Sequence, residues 1–130
     1  MIPKFRAWHK GMMRMSEVLA ISYERQKVKI KHQRGTTHMT VPLDDVVLMQ
    51  STGLVDVNGK EIFEGDVVRV TCEHPIDFPD CQGVVRMLEG RYMVCDDKTE
   101  RGSELFSEIF SNEIIGNIYE NPELVEVLND

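Results

Sequence analysis

The sequence predicts a mainly β protein with minor α content, and three observations predict it. Two turn signals, Ser51-Thr52-Gly53 and Asn58-Gly59, sit inside residues 48–68, each flanked by short apolar or β-branched runs, the pattern of hairpins. Residues 27–32, KVKIKH, alternate strictly, so that Val28 and Ile30 share one face and Lys27, Lys29 and Lys31 the other. Glycines open successive β-branched segments at Gly65-Asp66-Val67-Val68, Gly83-Val84-Val85 and Gly90-Arg91-Tyr92, where a strongly bent sheet must turn its corners.

Residues 4–8 alternate, with Phe5 and Ala7 on one side and Lys4, Arg6 and Trp8 on the other. His9-Lys10-Gly11 reads as a turn. Residues 15–23 fit a strand or a helix, and their β-branched residues and Tyr23 favour the strand, with Val18 and Ala20 opposite Leu19 and Ile21. Residues 27–32 read as an antiparallel strand with one wet face, and the lysines also suit a sheet edge. A turn at Arg34-Gly35-Thr36 leads to a brief strand at 38–41. Residues 44–50 read as a strand, or as one helical turn capped by Asp44 that runs into a strand. Residues 54–57 and 61–63 flank Asn58-Gly59 in a tight hairpin, and Glu64-Gly65-Asp66 turns the chain again. Residues 67–71, dense in β-branched side chains, are expected to be a central strand.

Pro75 and Pro79 mark residues 73–80 as a surface loop. Residues 83–88 and 91–95 form a second hairpin about Glu89-Gly90, and 96–103 is loop-like. Residues 104–111 fit a short helix with Leu105/Ile109 and Phe106/Phe110 at i, i+4. Residues 114–119 return to strand. Asn121-Pro122-Glu123 opens a C-terminal helical turn: Asn caps, Pro suits the first turn and Glu sits at the positive dipole end. Leu124, Val125 and Leu128 give that turn an apolar stripe. The stretch 53–119 is therefore expected to be a small, bent, antiparallel SH3-like barrel. The expected organisation is a basic β segment at 1–47, packed on or extending from the core, and a barrel domain at 48–130.

With 130 residues, 42% of them hydrophobic, the chain can bury a core without metals or disulfides. No run approaches the roughly 18 apolar residues of a membrane helix, and no secretory leader is visible. A cytoplasmic protein with no membrane partner is the expectation. Cys72, Cys81 and Cys95 form no C-x-x-C pair, and Cys72, His74 and Cys81 lack a fourth ligand, so buried free thiols are expected, with no metal and no cofactor.

The net charge is −7, but it is polarised: residues 1–40 hold nine Lys/Arg against Glu17 and Glu24, and the other ninety hold six basic against twenty acidic side chains. Three readings fit. The charges cancel within the fold, or basic and acidic patches meet between copies, or the basic region meets nucleic acid. Overall acidity opposes the third.

Asp56, Glu61, Glu64 and Asp66 are the visible acidic cluster. Carboxylates so placed can bind a divalent cation or move protons, yet acids in tight turns ordinarily bond to backbone N–H groups. The four histidines have no H-E-x-x-H or i, i+4 pattern, Ser51 and Thr52 lack the setting of an activated nucleophile, and no phosphate-loop motif occurs. Phe5, Trp8, Tyr23, Tyr92 and Tyr119 could stack on single-stranded bases, although aromatics in a small β core are ordinarily packing residues. The candidate binding surface combines Arg6, Trp8, Lys27, Lys29 and Lys31. No catalytic constellation is present, so the expected role is non-enzymatic.

Several blocks together resemble one family. They are Pro3-Lys4-Phe5-Arg6-Ala7-Trp8; Met49-Gln50-Ser51-Thr52-Gly53-Leu54 with Asp56; Asn58-Gly59-Lys60-Glu61-Ile62; Glu64-Gly65-Asp66-Val67-Val68; and residues 115–124, IGNIYENPEL. In this order they are similar to the YopX family of small bacteriophage and prophage proteins. The match is weaker over residues 9–47, where His9-Lys10 stands in place of the family's usual Asp-Lys pair. The resemblance implies a β-rich fold, a phage origin and self-association, and it implies no activity. The function expected is that of an accessory protein acting by protein–protein contacts as a homo-oligomer; the alternative is a nucleic-acid-binding module built on the basic strands.

Overall fold

The computed structural model describes residues 4–31, 37–72, 81–88, 90–96, 101–104 and 110–124. These residues are mainly β: β1 (Phe5–His9), β2 (Arg14–Ser22), β3 (Lys27–Lys31), β4 (His38–Pro42), β5 (Val46–Val55), β6 (Glu61–Phe63), β7 (Asp66–Cys72), β8 (Cys81–Leu88), β9 (Arg91–Asp96), β10 (Arg101–Glu104) and β11 (Phe110–Asn117). A 3-10 turn at Leu43–Asp45 and a helical turn at 122–124 complete them. Two antiparallel sheets run in the orders β4-β3-β2-β1-β5-β6 and β10-β9-β8-β7-β11. The chain divides into two compact units, Met1–Ser51 and Thr52–Asp130.

In the first unit, Ala7, Val28, Ile30, Val41 and Val46 form the buried core, with Val18, Ile21, Met39, Leu43 and Leu48 packed against it. Val18 and Ile21 would fall on opposite faces of a regular strand, as the sequence pattern suggested. They share the core because the register slips between Val18, opposite Ile30, and Ala20, opposite Lys29. β3 is not an edge: it lies between β2 and β4, and its lysines project from the face opposite Val28 and Ile30. Asp44 does not cap the 3-10 turn. Extended Pro42 precedes that turn with no side-chain cap, and Asp44 lies inside it.

The expected turn at Ser51-Thr52-Gly53 is also corrected. β5 runs through these residues, because Gly53 takes a left-handed φ of 78° within the strand and the Thr52 hydroxyl donates to the Ile62 carbonyl at 2.7 Å. The chain reverses instead at 56–60, where Gly59 has a φ of 80°.

In the second unit, Ile62, Val68, Val70, Val85 and Val94 form the core, and Leu54, Tyr92 and Ile114 pack on it. β7 lies between β8 and β11, and Val67 and Val68 are both fully buried, so this strand is covered on both faces, as its β-branched density required. β8 and β9 form the second expected hairpin, with Leu88 opposite Arg91. The stretch expected to form a barrel supplies the five-stranded sheet, with Ile62 of β6 packed into its core. The helix expected at 104–111 falls mostly on 105–109, outside the described residues. The final helical turn follows Asn121, whose carbonyl accepts the Leu124 N–H at 3.0 Å.

Candidate functional site

The candidate binding residues separate by burial. On β3, Lys27 lies opposite Ser22 and Pro42, Lys29 opposite Ala20 and Thr40, and Lys31 opposite His38. Strand pleating sets successive lysines about 7 Å apart on one face. The Lys31 ammonium stands 4.0 Å from Glu17, with both side chains about half exposed, an arrangement of small energetic weight. Among the described residues, no carboxylate lies within ion-pair distance of Lys27 or Lys29. Arg6 is opposite Glu17 in register and half-buried. Trp8 does not belong to an open surface: it is 8% exposed, so β1 is covered on both faces, by Ala7's core on one and around Trp8 on the other. Of the other aromatics, Tyr92 packs on the second core, Phe5 and Tyr119 are half-buried, and Tyr23 stands 67% exposed in the turn before β3.

The acids in the turns hold backbone. Asp56 is buried, its Oδ1 accepting the N–H groups of Asn58 and Lys60 at 2.9 Å each and its Oδ2 that of Ile114 at 3.0 Å. The Val57 N–H donates to the Asn112 carbonyl at 3.0 Å. The 56–60 loop thus binds β11 along the edge that β7 leaves open, which protects that edge from adding another strand. Burial acts to raise the Asp56 pKa. The N–H donors of Ile114, Lys60 and Asn58, with the Lys60 ammonium, outweigh burial and hold the carboxyl below its ordinary 3.8. Asp66, 2% exposed, accepts the Phe63 N–H at 2.8 Å and fixes the turn into β7. Burial, and then the Glu64 charge, raise the Tyr92 phenol above its ordinary value.

The same economy governs the late motif. Asn117 Oδ1 accepts the N–H groups of Tyr119 at 3.0 Å and Glu120 at 2.8 Å, its Nδ2 donates to Glu120 Oε1 at 2.9 Å, and its own N–H donates to Asn121 Oδ1 at 3.2 Å. Gly116 admits this packing, since a Cβ there would stand 2.5 Å from Asn121 Oδ1. Sequence reasoning missed Asn117 and Thr52, although Asn and Thr beside turns carry the signal for such bonds. His9, read from the sequence as part of a turn, ends β1 and is buried, and its Nδ1 accepts the Met12 N–H at 3.0 Å, which shapes the β1–β2 turn.

Among the described residues, no three His, Cys, Asp or Glu side chains are grouped to hold a metal ion. The three cysteine side chains, His32 and His74 lie outside the described residues. No described helix is long and apolar enough to cross a membrane.

Comparison with known proteins places this arrangement. A family model described as YopX protein matches residues 4–126. The crystal structure of protein EF1440 from Enterococcus faecalis is 26% identical, covering 96% of this chain and 99% of that one, with a TM-score of 0.59. The crystal structure of YopX from Bacillus subtilis is 21% identical, covering 93% of this chain and 96% of that one, with a TM-score of 0.59, a likeness of fold. No curated protein matches.

Proposed function

This chain belongs to the YopX family, and we propose that it is a non-enzymatic accessory protein of bacteriophage or prophage origin, acting in the host cytoplasm by self-association and contacts with other proteins. One observation carries the reading: the buried polar side chains of the family-like motifs named next are bound to the chain's own backbone. Thr52, Asp56, Asp66 and Asn117 each accept from or donate to main-chain groups, which satisfies them as structural residues. Among the described residues, what faces outward is charge and a few apolar side chains such as Met13, 72% exposed, and Tyr23. Light scattering across a concentration series, at low and high salt, tests the reading. The expected outcome is a mass above that of one chain that falls on dilution; one-chain mass at every concentration removes it.

A second reading, binding to nucleic acid, is favoured by exposed Lys27 and half-buried Lys29, which have no carboxylate partner among the described residues and lie on the face of β3 opposite Val28 and Ile30. Gel-shift titration with single- and double-stranded DNA and RNA tests it. Binding should weaken steeply with added salt through counterion release, and no retention at low salt ends the idea.

A further inference from the structure

We propose that the lysine face of β3 is a docking surface for the acidic second unit of another copy of the chain, in a head-to-tail contact. The proposal rests on the self-association reading above and names its surface. Residues 1–51 hold nine basic against four acidic side chains, net +5, and residues 52–130 hold six against eighteen, net −12. Opposite charges so divided can either meet within the chain or between chains. At Lys27 and Lys29 they do not meet within it among the described residues, and Lys31 has only Glu17 at 4.0 Å.

The residues opposite Lys27 and Lys29 in the neighbouring strands are Ser22, Pro42, Ala20 and Thr40, short and uncharged, so the register sets no charge directly beside these lysines; Lys27 is exposed and Lys29 half-buried. The second unit supplies complementary groups: Glu113, Glu120 and Glu123 are all exposed. A polyanion such as nucleic acid would meet the same lysines, but it must approach a chain of net charge −7 whose second unit repels it. A second copy carries, besides its acidic unit, a basic unit of its own, whose charge offsets part of this repulsion. The two surfaces differ, so the contact is heterologous and either closes into a ring or continues as a filament. Complementary charge of this kind sets orientation and encounter rate, and salt weakens it over a screening length of about 8–10 Å.

The test uses the full chain in size-exclusion chromatography with light scattering. Three proteins are compared at low and high salt: wild type, the triple variant Lys27→Glu, Lys29→Glu, Lys31→Glu, and the charge-preserving triple variant Lys27→Arg, Lys29→Arg, Lys31→Arg. Thermal melting of each confirms the fold, since the three side chains project from the face opposite the core. The expected results are assembly by wild type and the Arg variant, lost in high salt, and one-chain mass for the Glu variant at unchanged melting temperature. Added in excess to wild type, the Glu variant should shorten the assemblies, because it still offers an acidic second unit and no basic face. Undiminished assembly by the Glu variant overturns the proposed surface and leaves the self-association reading standing. One-chain mass for wild type under all conditions overturns both. Salt-sensitive binding of single-stranded DNA that is lost in the Glu variant, with assembly unaffected, assigns the face to nucleic acid and likewise overturns the proposal.

Discussion

Asp56 is an acid placed to accept. Three N–H groups, those of Asn58, Lys60 and Ile114, converge on its two oxygens. Asparagine cannot replace it without cost, because the amide would turn an NH2 toward backbone donors on one side. Asp56→Ala should destabilise the protein by about 1.5–3 kcal/mol, the range for hydrogen bonds to a charged acceptor. The pH dependence follows from the depressed pKa. The unfolded carboxyl titrates near its ordinary 3.8 and the folded one below it, so the native state binds fewer protons between the two values. The stabilisation is complete above the unfolded value and is lost as pH falls through the folded one. Urea melts at neutral pH and in steps downward from about pH 4 check this. Wild type should lose stability more steeply than Asp56→Asn, and equal acid slopes in the two proteins would remove the carboxylate from the account.

At the scale of elements, the decisive joint is the end of β11. Gly116 packs so close to Asn121 and Leu124 that a Cβ would stand 2.5 Å from Asn121 Oδ1 and 2.8 Å from Leu124 Cδ1. Gly116→Ala must therefore displace Asn121, whose Oδ1 accepts the Asn117 N–H. The expected cost is about 1–3 kcal/mol, as for other overpacked sites, with the amides of Asn117 and Asn121 exchanging faster. Unchanged stability would mean that Asn121 moves aside freely. Much of this level was legible in the sequence. The alternation of Lys27–Lys31 placed Val28 and Ile30 inside, the β-branched run at 67–71 read as central, and Asn121-Pro122 marked the last helical turn. What was not legible depends on distant neighbours. Gly53 looks like a turn residue until the Thr52 hydroxyl finds Ile62 ten residues away, and the slip in β2 is set by its pairing with β3 rather than by its own pattern. Trp8 alternates with Ala7, yet both are buried; periodicity reports which face a side chain takes and not whether that face is covered. The alternation therefore set the lysines on the face of β3 opposite Val28 and Ile30, and it could not tell that Trp8 is covered.

For the molecule as a whole, the chain builds two cores whose buried members come from separate stretches of sequence. Ala7, Val28, Ile30, Val41 and Val46 lie within Met1–Ser51, and Ile62, Val68, Val70, Val85 and Val94 within Thr52–Asp130. Local contacts of this kind make each cluster a cooperative group that can open at its own free energy. Ile30 is 1% exposed at the centre of the first cluster, so Ile30→Ala leaves a cavity among Val28, Val41 and their neighbours and should cost about 2–5 kcal/mol. Ile62→Ala, equally buried in the second cluster, should cost a similar amount. Native-state amide exchange distinguishes where each loss falls. Ile30→Ala should reduce protection in β1 to β4 and spare β7 to β9, and Ile62→Ala should do the reverse. Equal loss of protection throughout the chain in either variant would show a single cooperative group, and the division into two separately stabilised cores would then fail.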